Sequence, residues 1–279
     1  MRSYLRALPL ALAVTAPAAL GAQAAPMPAN NVFTIFRESV KIGKADAHDA
    51  HETMWARAMS ATKDPSPFIA MKALTGPNEI WYMAAYPTWQ EYEKATDQTS
   101  PAANAVGKQY RPAEAEYLND ARTMVLRPRA ELGYGGPADL PNMRYVSVTR
   151  ISVRPGHTSE YEDARKMVKA AHEAAHLTDR YAMWEVTSGA PAGTFYLMVA
   201  RKTLAELDSG AVIHGPAYTA ALGGEEGQKK LAALTSGAVI SSETDQFEFT
   251  PSQSVAPKEW IAANPGYWKP KAPAPKKAP

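Results

Sequence analysis

The sequence predicts an α+β protein built from two copies of one β-α-β-β-α-β unit. Three observations predict it. One stretch of chain matches a later stretch without a gap. Glycines fall at the same element boundaries in both copies. Strand-like and helix-like hydrophobic periods alternate in the same order twice.

Thr34–Gly76 aligns on Ser147–Gly189 residue for residue. Arg37 meets Arg150, Ser39 meets Ser152, Val40 meets Val153 and Met54 meets Met167. Ile35/Val148, Lys41/Arg154, Phe68/Tyr181, Met71/Trp184 and Thr75/Ser188 are similar pairs. The glycines weigh most: Gly43 meets Gly156 and Gly76 meets Gly189. Glycine marks positions where the backbone must turn.

Each copy opens on a strand, Val32–Val40 and Tyr145–Val153, because β-branched and aromatic residues dominate both. After Gly43 the apolar residues are Ala47, Ala50, Met54, Ala58 and Ala61; after Gly156 they are Tyr161, Ala164, Val168, Ala171 and Ala175. Both sets have the i, i+3/i+4 spacing of an amphipathic helix. Two strands around a glycine turn follow: Phe68–Thr75 with Glu79–Tyr86, then Tyr181–Ser188 with Thr194–Arg201. Trp89–Thr96 and Leu204–Ser209 begin second helices, and Pro101–Asp120 continues helical in the first copy. Arg122–Pro128 and Ala238–Phe249 close the two copies as strands, with residues 131–143, rich in Gly and Pro, as the joint.

One such unit is a four-stranded antiparallel sheet with two helices on one face, the ferredoxin-like arrangement. Its other face needs cover, which a second copy supplies by packing sheet to sheet. On element order, glycine placement and length, residues 31–130 and 144–250 resemble the dimeric α/β-barrel superfamily in its fused, tandem form. The resemblance implies an intramolecular dimeric α/β barrel with a cavity between the helices and sheet of each unit. It also implies two kinds of activity. Proteins similar to antibiotic-biosynthesis monooxygenases oxidise aromatic substrates without metal or cofactor, and those similar to chlorite dismutase hold haem.

The N-terminus reads as a secretory leader, residues 1–24. Arg2 and Arg6 precede a short apolar run from Leu8 to Leu20, and Ala22-Gln23-Ala24 places small residues where a signal peptidase cuts, before Ala25. The run is too short and too interrupted by Pro9 and Pro17 to span a membrane. The expected location is therefore the periplasm or the extracellular space. Cysteine is absent, which excludes disulfides, a thiol nucleophile, Cys-ligated zinc and c-type haem attachment. The overall charge is +2, but it is unevenly distributed. The leader removes two arginines, and residues 257–279 hold Lys258, Lys269, Lys271, Lys276 and Lys277 against Glu259 alone. What lies between is mildly acidic, which is not the footprint of a nucleic-acid binder. The Pro/Lys-rich end reads as a disordered, solvated tail from Pro257, able to touch an anionic envelope surface.

Several residues could carry chemistry. His48, His51 and Trp55 form a stripe on the first helix of copy one, and Tyr161 and His172 on that of copy two. With Trp81, Trp184 and Tyr196 from the strands, they are candidates to line cavities for a small aromatic or planar molecule. Asp46, His48, Asp49, His51 and Glu52 also form a metal-capable cluster, set against the simpler account that acids complement a helix N-terminus. His172-Glu173-Ala174-Ala175-His176 has the H-E-x-x-H spacing of a zinc hydrolase, with Glu173 as base and Glu206 as a third-ligand candidate. Copy one has Met59, Ser60 and Lys63 at the corresponding places, so the pattern sits on a helix the repeat already requires. His214 in a glycine-rich loop is a candidate haem ligand or general base. Four functions follow: a small-molecule binder with no cofactor, a cofactor-independent monooxygenase, a zinc hydrolase, and a haem protein.

Overall fold

The computed structural model describes residues 32–63, 65–97, 100–136, 138–208 and 215–269. The leader, His214 and residues 270–279 lie outside the described residues. The first unit runs β1 (Val32–Val40), α1 (Ala45–Ser60), β2 (Ile69–Ala73), β3 (Glu79–Tyr86), α2 (Trp89–Asp97), α3 (Pro101–Tyr117) and β4 (Leu118–Pro128). The second runs β5 (Tyr145–Val153), α4 (Thr158–Ala174), β6 (Ala182–Ser188), β7 (Thr194–Arg201), α5 (Pro216–Ala221), α6 (Gly224–Ala238) and β8 (Val239–Phe249). Two short helices follow, α7 (Lys258–Ala263) and α8 (Pro265–Trp268).

Each unit forms an antiparallel sheet, β4-β1-β3-β2 and β8-β5-β7-β6, and the two join edge to edge into a closed eight-stranded barrel. Met71 opposite Phe249 makes one seam, between β2 and β8; Leu126 opposite Val186 makes the other, between β4 and β6. Tandem ferredoxin-like units are thus the architecture, and closure leaves neither sheet with an unpaired long edge.

Strand alternation divides the molecule into layers. Ile35, Met71, Trp81, Met124, Leu126, Val148, Val186 and Phe247 point into the lumen and form the largest core cluster. Val40, Ile80 and Tyr82 point outward in unit one, and Ile151, Val153 and Phe195 do so in unit two. Helices α1 and α3 pack together over the first outer face, and α4 and α6 over the second. The register keeps the repeat visible: Trp81 lies opposite Arg37 and Tyr196 opposite Arg150, and the two equivalent rings meet in the lumen with centroids 5.6 Å apart.

The matched glycines are matched in backbone as well. Gly43 and Gly156 have φ of 79° and 85°, and Gly76 and Gly189 have 75° and 86°. At Gly189 a side chain is also sterically barred, since a Cβ would stand 2.2 Å from the Thr123 carbonyl oxygen across the β4–β6 seam.

Three expectations need correction. Leu204–Leu207 is a single 3-10 turn closed by a Thr203/Glu206 capping box; the second helix of unit two is α6. The joint at 131–143 is partly core, because Leu132 is fully buried and Tyr134 bridges to Tyr181. The chain from Pro257 is not a solvated tail as far as Trp268, which is 1 % exposed. Its indole packs on Phe249 and Trp260, and its N–H donates to the Pro141 carbonyl at 2.8 Å. Aromatic burial there outweighs the Pro- and Lys-rich composition around it.

Candidate functional site

The two helix-covered spaces are equivalent by repeat and different in chemistry. In unit one, α1 turns His48, His51, Glu52 and Ala56 toward the sheet at i, i+3, i+4 and i+8. Glu38 rises from β1 and Tyr82 from β3 to meet them, while α3 closes the space with Tyr110, Glu114 and Tyr117. His48 Nε2 lies 2.9 Å from Glu38 Oε2 and 4.0 Å from Glu52 Oε1. His51 Nε2 lies 3.7 Å from the same Glu52 oxygen, its ring 5.6 Å from Tyr110 and 5.4 Å from Tyr117. His48, His51 and Glu52 are 1 %, 5 % and 3 % exposed. Neither His51 Nε2 nor Glu52 Oε1 has a hydrogen-bond partner among the described residues.

Burial pushes the Glu52 carboxyl up to about 7; the Glu38 charge adds to this and His48 partly opposes it. Burial, with Glu38 nearby, also raises Glu114, and burial lowers His51. The Tyr82 hydroxyl lies near both Glu52 and Glu38 without hydrogen-bond geometry to either, and is held well above its ordinary range by burial. Trp55 stacks on Phe68 at 5.2 Å beside this cluster.

In unit two the corresponding space is a cavity of about 910 Å³. Ile151, Val168, Leu197, Val199 and Leu231 give it apolar walls; Tyr161, Arg165, His172, Asp179, Tyr181 and Tyr218 give it polar ones. Tyr161 Oη, Arg165 Nε, Asp179 Oδ1 and Tyr181 Oη are buried without a hydrogen-bond partner among the described residues. Burial holds the Tyr161 and Tyr181 hydroxyls up at about 12, so both remain hydrogen-bond donors at neutral pH. The Arg165 guanidinium sits over the Tyr181 ring, 5.0 Å from its centroid.

The eight residues expected to line cavities therefore divide three ways. Tyr161 and His172 line the unit-two cavity, and His48, His51 and Trp55 lie in the unit-one space. Trp81, Trp184 and Tyr196 line neither. They point into the lumen, where Trp184 stacks on Phe33 at 4.5 Å and Trp81 donates to Glu79 at 2.9 Å. The period of two explains this correction, since Leu197, next to Tyr196, is the residue that faces the cavity.

The H-E-x-x-H pattern does not form a zinc pair. Helix α4 ends at Ala174, and His176 has φ 49°, in the left-handed region. Leu177 N–H donates to His172 O and His176 N–H to Glu173 O, which is a Schellman ending. His172 is buried with both ring nitrogens engaged: Nδ1 is 2.7 Å from the Val168 carbonyl and Nε2 is 3.2 Å from Asp179. Glu173 and His176 are exposed. The pattern is sequence spacing across a helix end, so the two imidazoles do not project from one face. Sequence reasoning missed Glu38, Tyr82, Glu114, Arg165 and Asp179. An acid within the apolar strand β1 was the one available signal, at Glu38.

No protein-family profile matches the chain, and no curated protein matches it. Solved structures do. An anthrone oxidase-like protein superposes with a TM-score of 0.53 at 9 % identity, covering 79 % of this chain and 92 % of its own. A putative monooxygenase from Lactobacillus acidophilus NCFM superposes with a TM-score of 0.50 at 8 % identity, covering 79 % and 94 %. A putative chlorite dismutase reaches a TM-score of 0.40 at 12 % identity over 80 % and 96 %, too loose a fit to argue from. At such identities the likeness is one of fold.

Proposed function

We propose that the chain binds a small planar or aromatic molecule with hydrogen-bonding groups in the unit-two cavity between α4, α6 and the outer face of β5 and β7. One observation carries this: four buried, unpartnered polar atoms, on Tyr161, Arg165, Asp179 and Tyr181, surround a space of about 910 Å³. A buried polar group without a partner costs about 1–3 kcal/mol, and folded proteins keep few of them. Several at one apolar-walled cavity are accounted for by a ligand that satisfies them. Two tyrosine donors and a guanidinium favour a phenol, ketone or carboxylate on an aromatic frame.

Oxygenation of such a molecule without a cofactor is the second reading. The fold likeness to an anthrone oxidase-like protein supports it, and the His172 ring, held between the Val168 carbonyl and Asp179, stands on the cavity wall. Tricyclic aromatic ketones and phenols are the probes this reading selects. We also propose that the chain is exported and cut before Ala25, which N-terminal sequencing of the protein from the culture or periplasm tests.

Thermal unfolding with a panel of anthrone-like ketones, hydroxynaphthoates and aliphatic controls tests the binding. A ligand at a hundred times its dissociation constant adds about 2.7 kcal/mol and raises the melting temperature by a few degrees. Val168→Trp, which fills the cavity, should abolish the shift. Arg165→Ala should weaken an anionic aromatic about tenfold or more. No shift from any aromatic probe, or the same shift in Val168→Trp, would end this proposal.

A further inference from the structure

We infer that the unit-one cluster is a binding site for one divalent first-row transition ion, held by His51, Glu52 and Glu114, with the hydrogen-bonded His48–Glu38 pair behind Glu52. This site is separate from the aromatic-ligand cavity and does not depend on it.

The first argument is geometric. Donor atoms about 2.1 Å from a common ion lie roughly 3–4.2 Å from one another. His51 to Glu52 is 3.7 Å, inside that range, whereas His48 and Glu38, 2.9 Å apart, are hydrogen-bonded to each other. Two triads of donor atoms, Glu38/His48/Glu52 and His51/Glu52/Glu114, each lie within 4.8 Å and share Glu52. The second argument is the pair of orphans. His51 and Glu52 are more than nine-tenths buried, and His51 Nε2 and Glu52 Oε1, 3.7 Å apart, have no hydrogen-bond partner among the described residues. At 3.7 Å the two are too far apart to hydrogen-bond each other, and a cation shared with Glu114 satisfies both.

The third argument comes from the repeat. Ile151 stands where Glu38 does, and Tyr161, Ala164 and Arg165 stand where His48, His51 and Glu52 do. By ladder register Leu197 takes the place of Tyr82. The same fold is therefore built in unit two without a single one of these donors. This carboxylate and imidazole set is therefore an addition that the fold itself does not require.

The donor set selects the ion. An imidazole among the donors disfavours magnesium and calcium, and the absence of cysteine removes thiolate softness, so zinc(II), manganese(II) or iron(II) is the class.

The test uses the untagged protein, stripped with chelator and reloaded separately with zinc(II), manganese(II) and cobalt(II), the last as a spectroscopic probe. One ion per chain should survive desalting, and cobalt should show visible d–d bands from mixed nitrogen and oxygen ligands. Glu52→Gln, which keeps the shape and hydrogen-bonding capacity of a protonated glutamate, and His51→Ala should each weaken binding about a hundredfold or more. Glu173→Gln and His176→Ala should leave it unchanged. Folded wild-type protein that retains none of the three ions overturns the site. So does undiminished binding in Glu52→Gln with a wild-type circular dichroism spectrum.

Discussion

Glu52 links the protein's stability to pH. Its carboxyl is held at about 7 in the folded protein against an ordinary 4.5, so the folded state keeps a proton that the unfolded chain releases. The stability contribution is complete below the unfolded value, falls as pH rises through the window between the two, and is lost above the folded one. The loss is on the order of 3 kcal/mol in metal-free protein. Urea unfolding in chelator at about pH 5 and about pH 8 should show that decline, and Glu52→Gln should flatten it; an equal slope in both proteins would refute the assignment. The sequence displayed the i, i+3 and i, i+4 spacing of His48, His51 and Glu52, but an acidic first turn accounts for such residues equally well. Glu38 and Glu114 belong to other elements, and only folding brings them to the same space.

At the scale of elements, the end of α4 shows how spacing misleads. His172 and His176 are four apart, yet the helix stops between them, and His176 takes the left-handed residue of a Schellman motif. Glycine is the favoured residue there, so His176→Gly should raise stability by about 1 kcal/mol in urea titration. A helical zinc pair predicts the opposite, a loss on removing that imidazole. The C-terminal helices are the converse case, order where composition suggested none. Trp268 sits in the core cluster with Phe249 and Trp260, so Trp268→Ala should cost roughly 3–5 kcal/mol. Calorimetry on that variant decides, and an unchanged melting temperature would place the ring outside the core. Helix α6 escaped sequence reasoning because its first turn is Gly224, Glu225, Glu226 and Gly227, residues that read as loop.

For the whole molecule, the repeat was the legible part. β1, β3, β5 and β7 occupy the spans expected of them, because strand alternation and bounding glycines mark those segments unambiguously. A barrel was expected from the resemblance and is what forms; the pairing of its edges was not legible. Which edges pair depends on register across residues far apart in sequence, such as Met71 with Phe249, and no local pattern encodes it. Each sheet owes its inner cover to the other, so residues 25–130 expressed alone should aggregate, and mixing them with residues 131–279 should restore a soluble, cooperative unit. Sedimentation of each half and of the mixture measures this; a soluble, monomeric first half would contradict the shared lumen.

The β2–β8 seam also sets a timetable. β2 is made early, but its partner comes from Val239–Phe249, and the Trp268 indole that packs behind that strand comes later still. While the ribosome is still adding the second unit, the first must wait with its greasy concave surface uncovered. Whatever shields nascent chain in the cell therefore has work to do here until synthesis is nearly finished.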